Sequence, residues 1–325
     1  MKILVLGATG FIGGHIARAG LDAGWEVRGF RRDETRIGHL GGLPVNWVLG
    51  DLMDFDSLLI AMDGVEIVFH AAGFYPKDGN PRRVKEFVKH AKEEIANVIE
   101  AAKQAGIQRL IYTSSLTTIG HPPSVENRLA DERDFYIPGT LSKSAYYETK
   151  FLMEQAILQA ASEGLDTVVL NPTAVFGPGD VYLTMGKLLI AVARGFVIGW
   201  LPGETNVVDA RDVGKAHITA VDHGRSGERY IIGCHNYSIK QAITEAAQVA
   251  GVQPPRFEVP LWIIDVLVFL GDIFPFIPLP SNHIRALKLW QAYNTEKAQQ
   301  VLGLSPRPFE ETVRDTLAWI KSEGR

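Results

Sequence analysis

Cysteine is nearly missing: Cys234 is the single one in 325 residues. That excludes a disulfide scaffold and any cysteine-built metal site, and no metal centre is expected. A reducing compartment fits, and the expectation is a cytoplasmic protein. Cys234 closes a strand-like stretch, Tyr230-Ile-Ile-Gly-Cys234, where an inert thiol is the ordinary outcome. Neither sign of charge is in excess. The 33 Lys and Arg against 37 Asp and Glu leave −4, so there is no basic footprint for nucleic acid. Internal repeats and low-complexity tracts are lacking. So is an uninterrupted apolar run long enough to span a bilayer. The one candidate, Leu261–Leu279, is broken by Asp265 and Asp272 and bounded or broken by Pro260, Pro275 and Pro278. Stable membrane insertion is not expected; a helix packed on the body, a lid over a pocket and a membrane-surface contact stay open. An apolar strand starting at Lys2 leaves the expectation of no signal peptide.

What is present is an ordinary globular chain, 46% hydrophobic and 22% charged, with room for one large or two unequal domains. Its organising stretch is residues 1–14. Ile3, Leu4, Val5 and Leu6 form a short uncharged run, the pattern of a strand buried on both faces of a parallel sheet. Gly7, Gly10 and Gly13 follow at a spacing of three, and Ile16, Ala17, Gly20 and Leu21 then repeat at helical period. Strand, glycine turn and helix in this order form a dinucleotide-binding fingerprint, with the pyrophosphate over the helix N-terminus. The turn residues Thr9, Phe11 and Ile12 are expected against the same ligand.

Strands and helices alternate through the first half. Strands are expected at Glu26–Phe30, Val45–Leu49, Glu66–His70, Arg109–Ser114 and Thr167–Asn171, and helices at Ser57–Met62, Glu86–Ala105 and Ser142–Glu163. Repeated βαβ units mean a doubly wound parallel sheet, an α/β Rossmann domain over residues 1–172. After Pro172, Gly- and Pro-rich loops open a smaller, mostly helical substrate region over 173–325. Two short strands in it, Asn206–Val208 and Arg229–Ile232, are expected to return to the main body.

Candidate chemistry falls at strand ends, where ligands of open parallel sheets bind. After the second strand stand Arg31 and Arg32, with Arg36 nearby. Guanidinium forks suit a 2′-phosphate and favour NADP over NAD; solvated surface charges are the plain alternative, and Asp33 could instead serve a ribose. Asp51-Leu52 follows the third strand, either as an adenine contact or as a helix cap. Ala71, Ala72 and Gly73 leave room for cofactor backbone after the fourth. Tyr146 and Lys150 are four apart on one helical face. A lysine ammonium there lowers the tyrosine pKa and grips a ribose, leaving the tyrosine to exchange a proton with a substrate oxygen. Tyr112-Thr113-Ser114-Ser115 supplies a hydroxyl beside it. Phe74, Tyr75, Phe176 and Tyr182 are candidate contacts for an apolar, ring-containing substrate, or else ordinary packing.

Taken together, Gly7-x-x-Gly10-x-x-Gly13, Asp51-Leu52, His70-Ala-Ala, Thr113-Ser-Ser115, Tyr146-x-x-x-Lys150, Asn171-Pro172 and Asp212-Val213 resemble the extended short-chain dehydrogenases/reductases over nearly the whole chain. The pattern is similar to the dihydroflavonol-reductase-like and 3β-hydroxysteroid-dehydrogenase-like branches and to proteins labelled hopanoid-associated sugar epimerases. The resemblance implies a Ser115–Tyr146–Lys150 triad with Asn97 in support and Ser114 in reserve, Thr113 and Pro172 beside the cofactor, and a homodimer through the two long helices. Nucleotide-sugar enzymes of the family usually carry an arginine before the segment matching Asn206–Asp212; here Thr205-Asn206 stands there. The activity expected is NADP-dependent reduction of a ketone or aldehyde, reversibly alcohol oxidation. A sugar epimerase or dehydratase with tightly bound NAD(P) is the alternative, and a catalytically silent NADP sensor is a third that an intact triad disfavours.

Overall fold

The computed structural model describes residues 1–73, 83–141, 144–263, 266, 269 and 291–324. Seven strands make the central sheet: β1 (Lys2–Leu6), β2 (Glu26–Arg31), β3 (Asn46–Leu49), β4 (Ile67–His70), β5 (Arg109–Thr113), β6 (Thr167–Pro172) and β10 (Glu228–Ile232). Their order is β10-β6-β5-β4-β1-β2-β3, and every pairing is parallel. The uncharged run of β1 is explained by its central place. Ile3 and Val5 face one buried cluster, Leu4 and Leu6 the other. Helices α1 (Phe11–Asp22) and α6 (Ala210–His223) cover the first face; α2 (Phe55–Met62), α3 (Val84–Gln104) and α4 (Ala145–Ser162) cover the second. The chain winds outward from β1 to β3, then returns to β4 on the other side of β1. That reversal opens a crevice at the carboxyl ends of β1 and β4.

Element boundaries differ from the sequence expectation by a few residues. Helix α4 starts at Ala145 rather than Ser142, since Ser144 is extended (φ −100°, ψ 99°). Helix α3 runs to Gln104 and is closed by Gly106 at φ 67°, a left-handed conformation open to glycine.

Beyond β6, helices hold more of the described residues than strands do but fewer than half of them, and short strands are more numerous than expected. The elements are β7 (Ala174–Phe176), α5 (Gly186–Ala193), β8 (Gly199–Trp200), β9 (Glu204–Asp209), β11 (His235–Ser238), α7 (Ile239–Val249), β12 (Phe257–Glu258), α8 (Glu296–Leu302) and α9 (Phe309–Ser322). Of the two strands expected to rejoin the main body, β10 does, as the edge beside β6. β9 does not: it is the centre of a separate β11-β9-β7 sheet. The apolar face of that sheet packs with α5, α7 and α9 in a second core of Phe176, Val207, Ile239, Ile243 and Phe309. Of the apolar stretch 261–279, the structure describes 261–263, 266 and 269. Among the described residues no helix is long and apolar enough to cross a membrane.

Candidate active site

The glycine turn is built so tightly that side chains cannot enter it. Gly7 is left-handed (φ 90°), and a Cβ on it would lie 2.8 Å from Ala72 N. A Cβ on Gly13 would fall 2.1 Å from Gly7 O, with backbone on both sides. Gly10 N donates to Gly7 O at 2.9 Å. As N-cap of α1, Gly10 supplies no side-chain cap, so the helix's first N–H groups are left to a ligand. This cradle fits a dinucleotide pyrophosphate. Gly13→Ala is expected to push α1 off β1 and weaken cofactor binding about ten-fold or more, as read by NADPH fluorescence titration. An unchanged affinity would show that the close packing of turn and helix is dispensable.

At the carboxyl end of β2, Arg31 lies with its guanidinium carbon 4.9 Å from the Trp47 ring centroid, and its Nη1 is 3.4 Å from Arg36 O. Arg32 is largely exposed, 3.9 Å from Asp51 Oδ2. Asp33 is engaged locally. It accepts from Thr35 N at 2.9 Å and Thr35 Oγ1 at 2.6 Å and pairs with Arg36 at 3.3 Å. The Thr35 bonds, chiefly, hold its carboxyl below the usual carboxylate range. Asp51 accepts from Met53 N at 2.9 Å, and Leu52 is buried in the cluster that holds Phe30 and Leu58. Asn97 Nδ2 donates to Leu52 O at 3.1 Å, because α3 sets it over the loop after β3.

The ends of β5 and α4 bring the remaining candidates together. Tyr146 Oη donates to Ser115 Oγ at 3.3 Å. Ser115 Oγ also accepts from Thr117 N at 3.2 Å, capping the short turn Leu116–Thr118. Ser114 points elsewhere, donating to Glu154 Oε2; Ser115 is the serine at the tyrosine. Lys150 Nζ donates to Thr113 O at 3.0 Å and lies 5.1 Å from the Tyr112 ring centroid. Burial lowers its pKa to about 8, while Glu154 and Glu94 act against the fall.

Sequence reasoning missed His217. Its Nδ1 lies 2.8 Å from Val213 O and its Nε2 2.7 Å from Thr113 Oγ1. A carbonyl accepts and cannot donate, so the proton is assigned to Nδ1 and Nε2 accepts from Thr113. That fixes the strand end whose carbonyl holds Lys150. His217 comes from α6, far away in sequence, and nothing local announces it.

The substrate candidates fare differently. Phe176 is buried and meets Phe309 edge-on at 5.3 Å; this ring belongs to the second core, where the apolar face of β7 must be covered. Tyr182 is exposed. Phe74 and Tyr75 lie outside the described residues. A cavity of about 140 Å³ is lined by Leu116, Ile119, Phe135, Tyr136, Tyr147 and Tyr293, among others. Leu116 and Tyr147 are the chain neighbours of Ser115 and Tyr146.

With this geometry in place, the family model described as NAD dependent epimerase/dehydratase family matches residues 3–233. The chain belongs to that family. It is an NAD(P)-dependent enzyme of the extended short-chain dehydrogenase/reductase type. A Synechocystis sp. member carrying a dihydroflavonol 4-reductase name is 31% identical over 333 residues, 98% of this chain and 94% of the relative. Sterol demethylase protein B of Methylococcus capsulatus is 30% identical, over 100% of this chain and 99% of its own. A solved nucleoside-diphosphate-sugar epimerase from Pseudomonas aeruginosa is similar with TM-score 0.84 and 25% identity, over 100% of this chain and 98% of that one. Epimerase-family members thus share this fold while their names span reduction, sterol chemistry and sugar chemistry.

Proposed function

We propose that this enzyme is an NADP-dependent reductase of a ketone or aldehyde, reversibly an alcohol dehydrogenase, acting on an apolar small molecule. The observation that carries the reading is Tyr146 Oη 3.3 Å from Ser115 Oγ, with Lys150 one turn along the same helix. When bound, the nicotinamide supplies or accepts the hydride. The chain does the rest. Ser115 Oγ–H donates to the substrate carbonyl oxygen and stabilises the charge that develops on it. Tyr146 Oη gives its proton to that oxygen. Lys150, protonated at neutral pH with a pKa near 8, favours the tyrosinate left behind. In the oxidative direction the same groups act in reverse. The apolar lining of the cavity and the sterol and dihydroflavonol names among the relatives support an apolar substrate.

Arg31 and Arg32 support NADP, as does Asp33, which is occupied by Thr35 and Arg36. The test compares NADPH with NADH by fluorescence titration on freshly purified protein, then follows NADPH oxidation with benzaldehyde, acetophenone, cyclohexanone and larger ring ketones. Arg31→Ala with Arg32→Ala is expected to lower NADPH affinity about 10- to 100-fold, the worth of one or two charge-assisted hydrogen bonds, and to leave NADH affinity unchanged. Equal loss for both cofactors overturns the phosphate assignment. NAD carried tightly through purification, with no carbonyl turnover, favours the second reading, an epimerase or dehydratase, for which the Pseudomonas aeruginosa neighbour speaks. Association as a homodimer through α3 and α4 belongs to the same proposal and is read by light scattering.

A further inference from the structure

Two full charges are buried beneath Ser115. The Glu154 side chain is 0% exposed and that of Arg229 4%, and Glu154 Oε1 lies 2.8 Å from Arg229 Nε. The contact is ionic, without hydrogen-bond alignment. The other oxygen, Oε2, collects donors. Ser114 Oγ, Thr118 Oγ1 at 2.7 Å and Asn171 Nδ2 at 2.6 Å all reach it. Arg229 is held in turn. Its Nη2 donates to Thr118 O at 3.0 Å, its Nη1 to Glu132 O at 3.0 Å, and the Phe135 ring covers it at 4.1 Å.

Burying such a pair is costly and seldom adds net stability over apolar residues of the same volume. Its placement suggests what it is kept for. Glu154 is four residues beyond Lys150 and eight beyond Tyr146, so all three share one face of α4. Two of its donors also reach the backbone of Ser115: Thr118 Oγ1, whose single proton is shared between Glu154 Oε2 and Ser115 O, lies 2.9 Å from Ser115 O, and Asn171 Nδ2, with two protons, lies 3.4 Å from it. The helix that carries the tyrosine therefore also grips the loop that carries the serine.

We infer that Glu154, braced by Arg229, is a positioning residue that fixes Ser115 at hydrogen-bonding distance from Tyr146 by anchoring the serine loop to the tyrosine's own helix. The inference rests on the reductase reading for its catalytic consequence, though not for its structural one. Its charge adds a second effect. The titratable groups facing Lys150 are Glu154 on α4, Glu94 on α3, His70 on β4 and Tyr112 on β5. Of these, Glu154 contributes most to keeping the lysine protonated against burial.

The test uses the full chain with Glu154→Gln, which keeps shape and an acceptor but removes the charge. Amide hydrogen exchange over residues 114–119 is expected to accelerate about ten-fold or more, with exchange across β1 and α1 unchanged and NADPH affinity at neutral pH unchanged. On the carbonyl compound found by the panel above, kcat is expected to fall about ten-fold with KM for NADPH unmoved. The alkaline limb of its pH profile should shift to lower pH, because Lys150 loses its proton earlier; a purely structural role would not move that limb. If Glu154→Gln does not fold, Thr118→Val, which removes the shared hydroxyl alone, is read by the same exchange and kcat measurements. Wild-type exchange and a wild-type pH profile overturn the inference while carbonyl turnover still upholds the reductase. Absent carbonyl turnover in the wild type overturns the reductase, and the exchange result then decides the positioning role by itself.

Discussion

Tyr146→Phe is expected to cut turnover of the carbonyl substrate about a thousand-fold while leaving NADPH affinity unchanged. The phenol is the group at this site whose hydroxyl meets both Ser115 and, in the proposed reaction, the substrate oxygen. Phenylalanine fills the same space, so α4 keeps its packing: Tyr146 lies edge-on to Tyr147 at 6.4 Å and beside the cluster of Tyr136, Leu141 and Tyr147. Lys150 keeps its bond to Thr113 O. The loss is therefore expected in kcat, as for an interaction made in the transition state, and not in melting temperature. Retained turnover would remove Tyr146 from the chemistry and leave the fold with a different acid.

Stability is expected to collapse in mild acid. Burial, chiefly, lowers His15 and His70 to about 3 and His217 to about 4. Both His70 ring nitrogens lack a hydrogen-bond partner among the described residues, so protonation there would leave a charge with nothing to compensate it. In the unfolded chain these rings titrate near 6.5. Because the folded pKa values lie below the unfolded one, the unfolded state binds more protons in acid. The stability these neutral rings allow is complete above about pH 6.5 and is lost as pH falls from there toward 4 and 3. Each ring costs about 1.4 kcal/mol per pH unit in that window, against a total of about 5–15 kcal/mol for a native protein. Urea unfolding at pH 7, 6 and 5 is the measurement, with a steep fall in midpoint expected below pH 6. A flat profile down to pH 5 would show that these rings are solvated. Cys234 adds no comparable switch, since burial pushes its thiol up to about 12, in keeping with an inert side chain.

The chain's local chemistry determined a good deal. Ile3–Leu6 followed by Gly7, Gly10 and Gly13 announces a buried strand, a turn that admits no Cβ and a helix, because all three signals lie within reach of one another along the chain. The strand and helix alternation up to Pro172 is legible for the same reason, and Tyr146 and Lys150 stand out as candidates through helical spacing together with the Tyr112–Ser115 stretch at the end of the fifth strand. Residues whose partners are distant were not legible. Local chemistry does not separate Ser114 from Ser115; the family resemblance alone ranks Ser115 first. Packing under α4 separates them, turning one to Glu154 and the other to Tyr146. Asn97 sits on the expected helix, and only its height along α3 decides that its amide reaches Leu52 O. Phe176 looked like a loop aromatic until β7 paired with β9 and carried it into the second core. His217 reaches Thr113 across 104 residues. Arg229 reaches Glu154 because β10 pairs with β6 in the register Arg229↔Val169. Periodicity fixes which face a residue takes on its own element; what waits on the facing element is settled by sheet order and register, and those are properties of the assembled fold.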